Sequence, residues 1–204
     1  MKAVVLLSGG IDSCVLLAYA LSKGHTCTAL SYHYGQRHLI ELESAKKIAS
    51  SYGVPHSIVT IDPSLFQSAP SALTDPSIPV NQASAYVPAR NLIFLSLAAS
   101  FAEARGASTI YFGGNGDDAP HFPDCTPRFI NAMQAAIAFG AKTPVSIQAP
   151  LTSMSKKEVK ALGRSLQAPL DLTWSCYQPT EKSRPCGKCP ACLLASDPCC
   201  LYDQ

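Results

Sequence analysis

The sequence predicts an α/β protein built on a doubly wound, parallel, five-stranded sheet. Three observations predict it. Strand-like and helix-like stretches alternate from Val4 to Ile61, the pattern of parallel strands joined by crossover helices. Glycine-rich or polar turns follow the strand-like runs that end near Leu7, Tyr32 and Phe112, so one rim of the sheet collects residues able to do chemistry. The chain has 204 residues, 47% of them hydrophobic, enough for one domain with a sizeable core and a small appendage.

The elements follow in order. Val4-Val5-Leu6-Leu7 reads as a short buried strand. Ser8-Gly9-Gly10 turns the chain, and Asp12-Ser13 opens a helix that runs to about Leu21. Thr26 to Tyr32 is a second strand, rich in small and β-branched residues. A helix from Glu41 to Tyr52 follows and is stopped at Gly53-Val54-Pro55. His56 to Ile61 is a third strand. From Asp62 to Pro88 five prolines break the pattern, and the stretch reads either as a lid over the site or as an insertion without regular structure. Leu92 to Arg105 is an apolar helix ended by Gly106, and Ser108 to Phe112 is a fourth strand. Pro127 opens a helix to about Phe139, and Val145 to Gln148 is a fifth strand. Ser155 with Glu158 three residues later forms a capping-box pattern before a helix to about Leu166. The domain so defined spans 1–172, and 173–204 is a cysteine-rich appendage without hydrophobic periodicity.

A net charge of +2 leaves no strongly basic footprint, so no long nucleic acid is expected as a partner. No apolar run reaches the length of a membrane-spanning helix. Met1-Lys2 leads directly into the first strand, so no signal peptide is expected and a cytoplasmic location is.

The turn after the first strand is the first candidate site. A glycine turn between strand and helix aims backbone N–H groups outward, and the helix N-terminus adds positive partial charge, which makes an anion cradle. Ser8 and Ser13 add hydroxyl donors, and Asp12 can cap the helix or hold Mg²⁺. The common phosphate loop with its internal lysine is missing. Ser-Gly-Gly-x-Asp-Ser instead resembles the pyrophosphate-loop ATPases, which cut ATP between the α and β phosphates.

Nine cysteines are many for a protein of a reducing compartment. Cys186, Cys189 and Cys192 have knuckle-like spacing, with Cys176 upstream and Gly187 in the turn. A closed, structural Cys₄ Zn²⁺ site is the leading reading. An iron–sulfur cluster, a redox pair and unliganded thiols are its rivals. Cys199 and Cys200 fall outside the spacing, and Cys14 and Cys27 read as core residues. Arg90, at the start of a helix facing the rim, offers a planar fork for phosphate. Gln36, Arg37 and His38 could reach phosphates or a carboxylate substrate. Asp117, Asp118 and Asp124 could accept from a guanine-like N–H edge or hold Mg²⁺, or could simply serve turns. His121 and Cys125 are weaker candidates for acid/base and nucleophile.

Taken in order, Ser8-Gly9-Gly10-x-Asp12-Ser13, Tyr34-Gly35-Gln36-Arg37-His38, Val87-Pro88-x-Arg90-Asn91, Phe122-Pro123-Asp124-Cys125 and Thr173-Trp174-Ser175-Cys176-Tyr177 with the three later cysteines resemble the 7-cyano-7-deazaguanine synthase family. The resemblance runs from Val4 to Cys192. It implies an adenine-nucleotide alpha-hydrolase-like, Rossmann-like sheet and an ATP-dependent ligase of queuosine precursor synthesis. The implied substrates are 7-carboxy-7-deazaguanine, ammonia and ATP, with Mg²⁺, a structural zinc on Cys176, Cys186, Cys189 and Cys192, and a homodimer. It implies that Ser8, Asp12, Ser13 and Arg90 act in catalysis. ATP would lie on Ser8, Gly9, Gly10, Asp12, Ser13, Tyr32 and Arg37, and the second substrate on Gln36, His38, Arg90, Asp118 and Asp124. Ala119 and Thr126 depart from the residues usual in that family near the presumed base pocket. A tRNA thiolase or amidating ligase of the same superfamily, and a non-catalytic ATP-binding module, are the alternatives.

Overall fold

The computed structural model describes residues 1–37, 39–69, 71–81, 83–176, 179–180, 184–189 and 191–192. Five parallel strands form one sheet in the order β3-β2-β1-β4-β5: β1 (Lys2–Leu6), β2 (Thr26–His33), β3 (His56–Thr60), β4 (Thr109–Tyr111) and β5 (Ser146–Gln148). Five α-helices accompany them: α1 (Ile11–Ser22), α2 (Ile40–Ser51), α3 (Arg90–Arg105), α4 (Pro127–Gly140) and α5 (Lys156–Ser165). All ten elements were legible, and the expected five-stranded parallel sheet is the one observed.

Both faces of the sheet are covered, and the alternation of a strand divides the core between them. Along β1, Val4 joins Leu30, Leu95 and Ile110 in the core under α3 and α4. Ala3, Val5 and Leu7 join Val15, Leu16, Ile48 and Val159 in the core under α1, α2 and α5. The parallel register pairs Val4 with Thr28 on one side and with Ile110 on the other. The strand order reverses between β1 and β4, and at such a switch point the connections diverge to opposite faces and leave a crevice at the carboxyl ends of the strands. The Ser8–Ser13 turn therefore opens into a crevice.

Two local readings change. Asp12 does not cap α1: the N-cap is Gly10, and no side chain caps that helix. Asp12 sits two residues past the N-cap, and its carboxylate is drawn off by partners described below. The proline-broken stretch 62–88 is not without structure in its described residues. Pro63–Phe66 forms a short 3₁₀ helix, and Phe66, Ala72, Ala85 and Val87 are buried, so it packs as a wall of the molecule. Among the described residues no helix is long and apolar enough to cross a membrane.

Candidate nucleotide site and metal centre

A cleft of about 730 Å³ opens at the switch point. Its floor is the turn after β1. Ser8 Oγ accepts from Gly10 N–H at 3.3 Å and donates to Ser13 Oγ at 3.1 Å, while Ser13 Oγ donates to the Gly10 carbonyl at 2.9 Å. The hydroxyls thus hold the turn in shape. The absence of a side-chain cap leaves the first N–H groups of α1 for an anion. Gly9 has φ +92°, and a Cβ there would stand 2.1 Å from the Glu41 carbonyl oxygen. Only glycine lets the turn lie so close under the first turn of α2.

Asp12 is held from the far side of the cleft. Lys156 Nζ donates to Asp12 Oδ2 at 2.5 Å, and Asn115 Nδ2 donates to the same oxygen at 3.2 Å. The other oxygen, Oδ1, is buried with no hydrogen-bond partner among the described residues. A buried carboxylate oxygen without a partner is a vacant ligand position, so Asp12 fits a role in holding Mg²⁺. Lys156 is delivered by α5. Ser155 and Glu158 form the complete capping box that the sequence predicts, fixing where that helix begins. Asp117 Oδ2 accepts from Lys156 N–H at 2.8 Å and ties the start of α5 to the turn after β4. Sequence reasoning missed Lys156. A signal existed: a lysine at the first position of a helix meets the positive end of the helix dipole and calls for an acidic partner.

Arg90 is the first residue of α3, and the residue before it, Ala89, is left-handed at φ 52°. A non-glycine residue held there marks a position fixed by its surroundings. The Arg90 guanidinium donates to Tyr34 Oη at 3.2 Å and lies 5.9 Å from the Tyr34 ring. Next to it, Tyr32 stacks on Phe94 at 4.1 Å between centroids and donates to the Phe94 carbonyl. A flat aromatic wall of this kind suits a purine-like base. Glu41, at the start of α2, also lines the cleft. Burial drives its carboxyl up to about 7 against the opposing pull of Arg90. It too was missed, read only as the opening of a helix.

The remaining candidates divide. Ser8, Gly10, Asp12, Ser13, Tyr32, Gln36, Arg37, Arg90 and Asp118 all line the cleft. Gln36 turns both ends of its amide back on the strand exit, accepting from Tyr34 N–H and donating to the Tyr32 carbonyl. Arg37 Nη2 donates to the Pro76 carbonyl, while its Nη1 is buried without a partner among the described residues. Asp118 accepts from Asn115 N–H, and its carboxyl is pushed up by burial and by the charge of Asp12. Asp124 is not among the lining residues. It is buried and accepts from Asn91 N–H at 3.0 Å in the first turn of α3. Asp117 and Asp118 line the cleft while Asp124 does not, and each of the three carboxylates after β4 accepts from a different backbone N–H. Thr126 has a structural use, since its hydroxyl caps α4 by accepting from Phe129 N–H. Cys14 and Cys27 are buried in the core, as expected. His38, Cys199 and Cys200 lie outside the described residues.

The four cysteines come together as predicted. The sulfurs of Cys176, Cys186, Cys189 and Cys192 all lie within 4.8 Å of one another. Cys186 Sγ and Cys192 Sγ are 3.9 Å apart, against about 3.8 Å for two thiolates on one tetrahedral zinc. Backbone N–H groups point at the sulfurs: Cys186 N to Cys176 Sγ, Lys188 N and Cys189 N to Cys186 Sγ, and Cys192 N to Cys189 Sγ. Burial opposes ionisation of Cys186, yet the N–H groups of Lys188 and Cys189 bring it down to about 6, which favours the thiolate. The cluster fits a metal ion. Gly187, at φ +68°, supplies the tight turn between the ligands.

A five-stranded parallel sheet with a serine–glycine turn and a cleft at its switch point defines a doubly wound α/β protein with an adenine-nucleotide alpha-hydrolase-like fold, and use of ATP fits that fold. An NH3-dependent NAD synthetase from Campylobacter jejuni shares the fold, with a TM-score of 0.52 at 18% identity, covering 84% of this chain and 66% of that one. The family model described as queuosine biosynthesis protein QueC matches residues 2–198, and the chain belongs to that family. It is 46% identical over 206 residues to a 7-cyano-7-deazaguanine synthase of Leptospira interrogans, covering 95% of this chain and 84% of the relative. It is 45% identical over 210 residues to the enzyme of that name from Thermoplasma volcanium, with the same two coverages.

Proposed function

We propose that this chain is an ATP-dependent ligase that converts 7-carboxy-7-deazaguanine and ammonia to 7-cyano-7-deazaguanine, a step in making the queuosine precursor. The observation that carries this reading is the family match over residues 2–198, which spans the loop, the cleft and the cysteine cluster alike.

The chemistry follows from a poor leaving group. A carboxylate does not expel oxide. Its oxygen therefore attacks the α phosphorus of ATP, the bond to pyrophosphate breaks, and the acyl adenylate forms. Ammonia adds to the acyl carbon, AMP departs with the former carboxylate oxygen, and an amide remains. The amide oxygen is activated at a second ATP in the same way. Loss of the nitrogen protons and of AMP then leaves the nitrile. The protein's part is positioning and charge stabilisation.

In this reading the N–H groups and hydroxyls of Ser8, Gly9, Gly10 and Ser13 cradle the pyrophosphate leaving group. Asp12 holds Mg²⁺, which would spread the phosphate charge when bound. Lys156, already on Asp12, shifts to a phosphate oxygen as ATP enters. Arg90 steadies the substrate carboxylate or the α phosphate. Tyr32 and Arg37 contact the nucleotide, and Gln36, His38, Asp118 and Asp124 belong to the second-substrate side, Asp124 through its hold on α3. Cys176, Cys186, Cys189 and Cys192 bind structural zinc, residues 173–204 form an appendage to a domain over 1–172, and the protein works as a cytoplasmic homodimer.

The test is a product mass spectrum. Purified protein with 7-carboxy-7-deazaguanine, ATP and ammonium should yield the nitrile together with AMP and pyrophosphate. No nitrile, with ATP left intact, overturns the proposal.

A further inference from the structure

Ammonia brings a difficulty that none of the roles above answers. At neutral pH it is almost wholly ammonium, which has no lone pair to attack an acyl carbon. An enzyme that uses it needs a group beside the reacting carbon that attracts the cation and then takes its proton. That group should titrate near the working pH.

Glu41 meets these requirements by position. It stands in the first turn of α2 and lines the cleft. Its backbone carbonyl lies against Gly9, so its place relative to the pyrophosphate turn is fixed. The neighbouring Ile40 packs on the cluster of Trp174 and the metal-site cysteines, which pins the same turn from the other side. Arg90 of α3 is the charged group that acts on it, and the Tyr34 phenol after β2 is the titratable group that feels its charge in turn. Asp12, Arg37, Asp117, Asp118, His121 and Lys156 also line the cleft, and Asp117 accepts from Lys156 N–H. Asp12 is on Lys156, Asp118 is on Asn115 N–H, and Arg37 reaches Pro76. Glu41 therefore lines the same cleft as the phosphate turn and the arginine.

Resting on the ligase reading, we propose that Glu41 is the ammonium-binding and proton-accepting residue of the amination step. The balance is simple. Ammonium gives one proton to the Glu41 carboxylate. The freed lone pair forms the new C–N bond, the adduct nitrogen loses a second proton to solvent, and the C–O bond to AMP breaks to leave the neutral amide. The proton held by Glu41 later leaves to solvent as well. An ordinary glutamate is too weak a base for this. One that burial has raised to about 7 is much better matched.

Three measurements decide the matter. The first is kcat/KM for total ammonium in the wild-type enzyme. Glu41 as acceptor predicts a plateau above about pH 7 and a fall below it. Capture of free ammonia from solution predicts instead a rise of about tenfold per pH unit with no break near 7, and that result overturns the proposal. The second is E41Q, whose kcat/KM for ammonium at pH 7 should fall by about 100-fold or more while substrate-dependent exchange of labelled pyrophosphate into ATP persists. The third replaces ammonium with hydroxylamine, which is unprotonated at neutral pH and should restore hydroxamate formation by E41Q. A folded E41Q that has lost pyrophosphate exchange, or one that aminates normally, overturns the proposal; the first of these results would assign Glu41 to holding the base edge. If E41Q does not fold, the wild-type pH profile alone decides. Absence of pyrophosphate exchange in the wild type would instead strike the ligase reading, and this proposal would fall with it.

Discussion

The backbone N–H of Trp174 donates to the carbonyl of Gly9 at 2.9 Å. One hydrogen bond thus joins the segment leading into the cysteine cluster to the glycine on which the pyrophosphate turn depends. The Trp174 indole N–H donates to the Cys176 carbonyl at 2.9 Å, so the first cysteine, the tryptophan and the turn form one connected unit. A metal held by the cysteines would brace the wall of the cleft that Trp174 and Ala191 line.

Removal of that metal should therefore loosen ATP binding as well as lower stability. A net backbone hydrogen bond is worth about 1 kcal/mol, so its loss limits the effect on ATP to about a fivefold rise in KM. Treatment with a strong chelator, followed by metal analysis, ATP titration and thermal unfolding, checks this. Cys189→Ser should reproduce it. A metal-free protein with an unchanged melting temperature and an unchanged KM for ATP would separate the cluster from the loop.

Lys156→Ala should be far more damaging than its place at a helix start suggests. Among the described residues it leaves Asp12 with Asn115 alone as a side-chain partner, and it removes a cation from the phosphate end of the cleft. Loss of a charge-stabilising donor costs on the order of 100- to 1000-fold in turnover. Lys156→Arg should not rescue, because the broad planar fork does not replace a compact ammonium on one oxygen. Pyrophosphate exchange measures the effect directly, and a loss of less than about threefold would remove Lys156 from the phosphate machinery.

The contrast between Lys156 and the cysteines shows what a sequence exposes. The four cysteines and the Ser8–Ser13 turn are local patterns, and in such patterns spacing alone says what can converge. The ten elements were legible because periodicity and glycine or proline punctuation act within a few residues. Lys156 meets Asp12 across 144 residues, and Trp174 meets Gly9 only after the sheet has formed. Asp124 reads as a candidate ligand because it follows the fourth strand together with Asp117 and Asp118, and its carboxylate accepts from Asn91 N–H, 33 residues away. Stretch 62–88 read as a lid or an unstructured insertion because prolines erase periodicity, although Phe66, Ala72 and Val87 pack it down. In each of these cases the deciding contact is tertiary and leaves no periodic trace.

Gly9→Ala should be tolerated nowhere in the reaction. The added methyl meets the Glu41 carbonyl oxygen at 2.1 Å, and φ is +92°. The left-handed conformation alone costs about 1–2 kcal/mol for an alanine, and relief of the clash must push the turn away from α2. The expected result is a lower melting temperature and no detectable nucleotide binding by calorimetry. Gly53→Ala is the control. Gly53 also has positive φ, but a Cβ there meets nothing within 4 Å, so it should lose stability and keep nucleotide binding.

Glu41 should destabilise the fold at the pH where it is most useful. Its carboxyl moves from an ordinary 4.5 to about 7 on folding, chiefly through burial. Between those values the folded state binds a proton that the unfolded state has already lost. The stability it contributes is complete below about pH 4.5 and is lost as pH rises through 7. At pH 8 the folded protein carries a half-buried carboxylate, opposed only in part by Arg90, at a cost of up to about 3 kcal/mol. Glu41→Gln removes that charge. The variant should melt higher than the wild type at pH 8, match it near pH 4.5, and lose much of the slope between. Denaturant titrations of both proteins at pH 5, 6.5 and 8 measure this without any substrate. A variant less stable than the wild type at pH 8 would mean that the Glu41–Arg90 attraction outweighs burial, and it would leave Glu41 too weak a base to accept a proton from ammonium.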